Sequence, residues 1–221
     1  LELHPQASTA DLAVGDWVLA DPATDLLVRR LERQTLLQRR TESRHVPQLA
    51  AANIDTLFIV TSCNADFNLS RLERYLALAN QAGTTPVIVL TKADLEDAAR
   101  YEAEARALQR DLPVVVLNAK SPDAIQALSP WCGFGQTVGL VGSSGVGKST
   151  LVNTLAAAGA DVAQKTGAIR EHDAQGRHTT TARSLHAIAG GGWVIDTPGM
   201  RTLYVSDAAE GIDTLFAEIT E

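Results

Sequence analysis

The sequence predicts an α/β domain, with a mostly parallel sheet covered by helices on both faces, from about residue 50 onward. Near-continuous, β-branched apolar runs recur at 56–61 (TLFIVT), 86–91 (PVIVLT), 114–118 (VVVLN) and 137–142 (TVGLVG). Runs of this kind suit strands buried on both faces rather than half-exposed ones. Helical patterns alternate with them, and the last run ends in a glycine-rich turn that opens another helical pattern.

Taken in order, residues 1–45 look unlike the rest. Residues 14–19 (VGDWVL) read as a short strand after a turn, and 26–31 as another. They are the remnant of a small β domain or an extension packed on the main one. After the strand at 56–61, Ser70-Arg71-Leu72-Glu73 has the form of a capping box, and Leu72, Leu76 and Ala79 share one helical face up to a stop at Gly83. Further helices are expected at 95–110 and 149–158. A fifth strand, 193–196 (WVID), follows the turn signal of Gly190, Gly191 and Gly192.

Bulk properties narrow the function classes. The 221 residues can bury a sizeable core, and no apolar stretch approaches the roughly 20 residues that span a bilayer. The opening residues show neither a basic flank nor an apolar run, so no secretory signal is read and the cytoplasm is the default compartment. Cys63 and Cys132 stand far apart and read as reduced structural thiols, against a disulfide or metal pair. A net charge of −7 argues against nonspecific nucleic-acid binding by bulk charge. A local exception is the cluster Arg29, Arg30, Arg33, Arg39, Arg40 and Arg44, open to two readings: a solvated polar face, or contacts to a phosphate backbone.

The chemistry begins at Gly142-Ser143-Ser144-Gly145-Val146-Gly147-Lys148-Ser149, followed by Thr150, which fits G-x-x-x-x-G-K-[ST] between a strand and a helix. Glycines let successive N–H groups turn toward a phosphate, and the helix adds the positive end of its dipole. Lys148 is placed for the β and γ phosphates, and the Ser149 hydroxyl for Mg²⁺. A phosphate loop does not by itself choose between ATP and GTP.

That choice falls to Thr91-Lys92-Ala93-Asp94, an N/T-K-x-D element at a strand end. The Asp94 carboxylate can accept from guanine N1–H and the 2-amino group, and adenine offers neither donor pair. Lys92 would lay its stem along the base. Thr91 replaces the commoner Asn, and its short side chain should make fewer tethering hydrogen bonds. One strand later, Asn118-Ala119-Lys120 falls where a backbone N–H meets the guanine O6. Asp196-Thr197-Pro198-Gly199 fits D-x-x-G, with Asp196 on Mg²⁺ through water and the Gly199 N–H on the γ-phosphate. Before it, GRHTTT (176–181) suits a first switch segment, with Thr180 the first choice to complete the Mg²⁺ shell. Met200 stands where a water-orienting Gln is usual, so intrinsic hydrolysis should be slow. His178 is the candidate substitute, against the alternative of an ordinary exposed loop histidine.

The guanine-reading elements precede the phosphate loop, a circularly permuted order. In that order, and through AANID (51–55), RLERYL (71–76), LTKADL (90–95), GSSGVGKSTLVN (142–153), GRHTTT and IDTPGM (195–200), the chain closely resembles the bacterial ribosome small-subunit-dependent GTPase A family. The resemblance implies a P-loop GTPase fold and the division of residues 1–45 as a partial OB-fold remnant and linker from 46–221 as the permuted GTPase domain. It implies GTP hydrolysis to GDP and phosphate in late 30S maturation, stimulated by the small subunit, with the 30S subunit and 16S rRNA as partners and Mg²⁺ as cofactor. It favours an RNA-facing role for the arginine cluster. A Zn²⁺-binding C-terminal domain is usual in the family, but its Cys/His ligands are absent from this sequence and no zinc is expected here. A monomer is the default state. The rival readings are a nucleotide-gated RNA-binding module with incidental hydrolysis, and a P-loop ATPase or kinase.

Overall fold

The structure, a computed structural model, describes residues 11–41, 44–94, 97–156, 184–188 and 190–196, with side chains throughout except at 39–41, 44–47, 184 and 196. Two antiparallel hairpins come first, β1 (Val18–Ala20) with β2 (Leu27–Arg30) and β3 (Leu36–Thr41) with β4 (Arg44–Ala52). There follow β5 (Thr56–Ser62), α1 (Leu69–Ala82), β6 (Thr85–Thr91), α2 (Ala98–Arg106), β7 (Val114–Val116), α3 (Asp123–Leu128) and a 3₁₀ turn (Ser129–Trp131). Then come β8 (Thr137–Val141), a helix over 148–156 (α4), β9 (Ser184–Ala187) and β10 (Trp193–Asp196).

Six strands make one sheet in the order β7-β6-β5-β8-β10-β9, parallel throughout except for the β10–β9 pair. Its strands are apolar along their length because alternate residues enter two separate cores. Leu57 and Ile59 of β5 and Ile88 and Leu90 of β6 join one, with Leu72, Tyr75 and Leu76 of α1. Phe58, Val60, Val87 and Val89 join the other, with Leu128 of α3 and Leu151 and Leu155 of α4. Each fully buried Leu, Ile or Phe contributes about 1.5–3 kcal/mol.

Local chemistry moved several boundaries. Asn68, not Ser70, caps α1: its backbone is extended and its side-chain oxygen accepts from the Arg71 N–H at 2.9 Å. A carboxamide three residues ahead reaches that orphan donor directly, which leaves Ser70 inside the helix. Gly83 ends α1 in the left-handed region at φ 73°, as its position predicted. The helix expected at 95–110 is α2, opened by Asp97, whose carboxylate accepts from the Ala99 N–H at 3.0 Å. The strand expected at 14–19 is reduced to β1, because Gly15 turns the chain at φ 93° and Asp16 closes a turn back to Ala13. The β3–β4 hairpin was not foreseen, since neither strand shows a clean period of two. A boundary at 45/46 falls within β4.

A small polar junction ties the turns around the first hairpins to Asn53, in the connection between β4 and β5. Asn53, at φ 54°, donates through Nδ2 to the Gly15 carbonyl at 2.8 Å and accepts from the Gln34 N–H at 2.9 Å. Arg33 forks onto Asp16, Nε to Oδ1 at 2.7 Å and Nη2 to Oδ2 at 2.8 Å, and Nη2 also reaches the Asp11 carbonyl at 2.8 Å. Burial pushes the Asp16 carboxyl up, but the Arg33 hydrogen bonds, the Ala13 N–H and the guanidinium charge outweigh it and hold it below its ordinary 3.8. A carboxyl depressed on folding contributes stability above its unfolded pKa and loses it as pH falls through the folded one. Wild-type stability should therefore drop below about pH 4 by more than that of Asp16→Asn, as measured by urea midpoints from pH 7 to pH 3. Parallel pH curves would rule this out.

Candidate nucleotide-binding site

Every parallel strand that carries a motif delivers it to the same sheet edge. β8 runs into Gly142, β6 into Lys92, β7 toward Asn118, and β10 ends at Asp196. Ile195 lies level with Gly139 of β8, so Asp196 stands on the strand beside the one that enters the phosphate loop. Between β5 and β8 the chain order reverses direction across the sheet, the kind of switch point at which α/β sheets open a crevice for ligands.

The loop itself is built by three glycines with positive φ: Gly142 at 143°, Gly145 at 80° and Gly147 at 99°. A Cβ on Gly142 would stand 2.1 Å from the Val60 carbonyl oxygen, so β5 backbone packs where a side chain would go. Val146 is buried in the core and pins the middle of the loop, while Ser144 and Gly145 are exposed at its tip. Lys148 opens α4 and its ammonium donates back to the Gly142 carbonyl at 2.7 Å and to the Ser143 carbonyl. Ser149 is exposed in the first turn of α4 and Thr150 is half-buried beside it. A glycine-rich loop, a helix N-terminus and a lysine suit a phosphate chain, and Asp196 stands on the strand adjacent to the one that enters this loop. Among the described residues no group of three or more His, Cys, Asp or Glu side chains could hold a metal ion.

The base-reading elements sit against this loop. Thr91 is fully buried, and its hydroxyl lies 2.6 Å from the Val146 carbonyl and 3.1 Å from that of Thr61. Thr91 has one hydroxyl proton to give where an Asn would have two, yet that short side chain reaches the phosphate loop because the two loops are in contact. Lys92 takes a left-handed backbone at φ 57°, turning the chain so that Asp94 is exposed at the turn. Asn118 caps its own turn, Oδ1 accepting from the Lys120 N–H at 3.0 Å. Ala119 is buried, and a Cβ on Gly147 would lie 3.7 Å from both the Ala119 Cβ and the Thr91 Oγ1. The structure thus brings together Thr91, Lys92, Asp94, Asn118, Ala119, Lys120 and the loop 142–150. His178, Thr180 and Gly199 lie outside the described residues. Thr154 escaped the sequence reading: its hydroxyl donates to the Ala119 carbonyl at 2.8 Å. Its place beside the buried Leu151 and Leu155 on α4 was the only signal.

The arginine cluster divides. Arg29 and Arg30 are exposed on β2, whereas Arg33 is committed to Asp16 and Asp11, which removes that fork from a free phosphate-facing surface. Arg39, Arg40 and Arg44 belong to β3 and β4.

A family model described as RsgA GTPase matches residues 30–206. The chain belongs to the RsgA GTPase family. Among its relatives, the small ribosomal subunit biogenesis GTPase RsgA of Mesorhizobium japonicum is 72% identical over all of this chain and 64% of the relative. RsgA 2 of Vibrio vulnificus, named in the same way, is 52% identical over 94% of this chain and 59% of the relative. The chain thus spans about three-fifths of the length of these RsgA relatives. Two solved structures share the fold, each at 25% identity and over 67% of its own length. YjeQ from Thermotoga maritima matches 91% of this chain with a TM-score of 0.66. YloQ, described as a circularly permuted GTPase, matches 97% with a TM-score of 0.64. The fold class read from the strand runs and motif order agrees with these findings: an α/β GTPase domain in circularly permuted order.

Proposed function

We propose that this chain binds GTP and hydrolyses it to GDP and phosphate, acting in late maturation of the small ribosomal subunit and stimulated by that subunit. The carrying observation is the contact between the guanine-reading and phosphate-binding loops, from Thr91 to Val146. The names of the RsgA relatives support the ribosomal half. In this reading Asp94 and the Ala119 N–H select the base. The loop amides and Lys148 hold the phosphates and offset charge that develops on them. Ser149 and Thr180 would hold Mg²⁺ directly and Asp196 through water, and the ion would neutralise phosphate charge. The division into an OB-fold remnant at 1–45 and a GTPase domain at 46–221 belongs to the same proposal, with Arg29 and Arg30 as its exposed contacts to 16S rRNA.

Met200 in place of a glutamine keeps unassisted turnover slow, near or below ~10⁻⁴ s⁻¹, and gives the subunit something to accelerate. Single-turnover hydrolysis with and without 30S subunits tests this: a rise of tenfold or more is expected. His178→Ala should abolish most of that rise with little change in GTP affinity, and unchanged turnover would remove His178 from the mechanism. A lack of any stimulation would favour the second reading, a nucleotide-gated RNA-binding module, which Met200 also suits.

A further inference from the structure

One group that holds the base reader in place lies outside every nucleotide motif. Thr154, in α4, donates its hydroxyl proton to the Ala119 carbonyl at 2.8 Å, across 35 residues of sequence. A threonine within a helix commonly bonds back to a carbonyl three or four residues earlier in that helix. Here it reaches out to the turn after β7 instead. The same peptide unit is held at its other end, where the Lys120 N–H donates to Asn118 Oδ1 at 3.0 Å. With both ends bonded, the 119–120 peptide plane cannot rotate freely, and the buried Ala119 methyl closes the remaining direction against the phosphate loop.

We infer that Thr154 is a positioning residue for recognition of the purine six-position: by clamping the Ala119 carbonyl while the buried methyl holds the other side of Cα, it fixes the Ala119 Cα frame and with it the place of the Ala119 nitrogen, which carries the N–H donor. A fixed donor there rewards an oxygen acceptor at C6 and penalises a poorer one, whereas the 2-amino edge is read separately by Asp94. The inference rests on the proposed guanine-binding role of the site. It also gives α4, which begins at the phosphate-binding lysine, a direct mechanical link to the base loop.

The experiment is a titration of the full chain, wild type, Thr154→Val and Thr154→Ser, with four ligands: GDP, 6-thio-GDP, IDP and ADP. Valine removes the donor at nearly constant volume and serine keeps it. Thr154→Val should weaken GDP and IDP alike, by roughly three- to tenfold for one lost hydrogen bond. It should weaken 6-thio-GDP less, because sulfur accepts poorly, so the preference for GDP over 6-thio-GDP shrinks while the GDP-to-IDP ratio stays constant. Thr154→Ser should behave as wild type. Equal weakening of GDP, IDP and 6-thio-GDP would show a merely structural role and overturn the inference. So would no change in Thr154→Val, or a wild type indifferent to 6-thio substitution. A wild type that binds ADP as well as GDP would overturn the guanine reading itself, and this inference with it.

Discussion

Asp94→Asn should exchange the base preference of the site, lowering GDP affinity at least ~100-fold while creating affinity for xanthosine diphosphate. A carboxylate offers only acceptors, which suit the N1–H and 2-amino donors of guanine. A carboxamide turns one acceptor into a donor, so guanine's amino group meets an N–H while xanthine's 2-oxo group finds a partner. The effect should be large because the neighbouring anchor is stiff: Thr91 is buried and bonded to Val146 and Thr61, and Lys92 is fixed in a left-handed turn. Asp94 is exposed, so its substitution leaves the core untouched and the melting temperature near that of wild type. Calorimetric titration with GDP, xanthosine diphosphate and ADP measures the exchange. Undiminished GDP binding by the variant would rule out Asp94 as the base reader and reopen the ATPase reading.

Gly142→Ala should be the most damaging single methyl group in the phosphate loop. Its Cβ would sit 2.1 Å from the Val60 carbonyl oxygen and 3.5 Å from Val146 Cγ2, on a backbone at φ 143°. Neither neighbour can give way: Val60 lies in the central strand β5, hydrogen-bonded to β6 and β8 on its two sides, and both valines are buried. Separating β5 from β8 would open both cores, so a loss of more than about 3 kcal/mol is expected, with nucleotide binding lost too. Gly145→Ala is the internal control. Its φ of 80° carries some strain, about 1–2 kcal/mol, but its Cβ meets nothing within 4 Å. Thermal unfolding of the two variants should separate them clearly. Equal melting temperatures would mean that the contact between Gly142 and Val60 is not the constraint.

The motifs and five of the six sheet strands were legible for a common physical reason, whereas the edge strand β9 was not foreseen. A strand buried on both faces cannot hide its composition, and TLFIVT, PVIVLT and TVGLVG each stand within a residue or two of β5, β6 and β8. The phosphate loop is equally local, since its glycines and Lys148 act through backbone conformation and short reach. What failed was also local in origin: Asn68 outcompeted Ser70 for the α1 cap, and the β3–β4 hairpin carries too irregular a pattern to announce itself.

By itself, then, the sequence determined the fold class, the permuted order of the motifs and the residue types offered to phosphate and base. All of these depend on neighbours in the chain or on composition along one strand. Only the tertiary structure decided which distant groups meet. It placed the Thr91 hydroxyl on the Val146 carbonyl, Thr154 on Ala119, Val60 against Gly142, and Arg33 on Asp16 rather than free beside Arg29 and Arg30. Those contacts join segments 17 to 82 residues apart, and a contact of that span leaves no periodicity in the sequence because it depends on how strands, helix and loops are brought together in space.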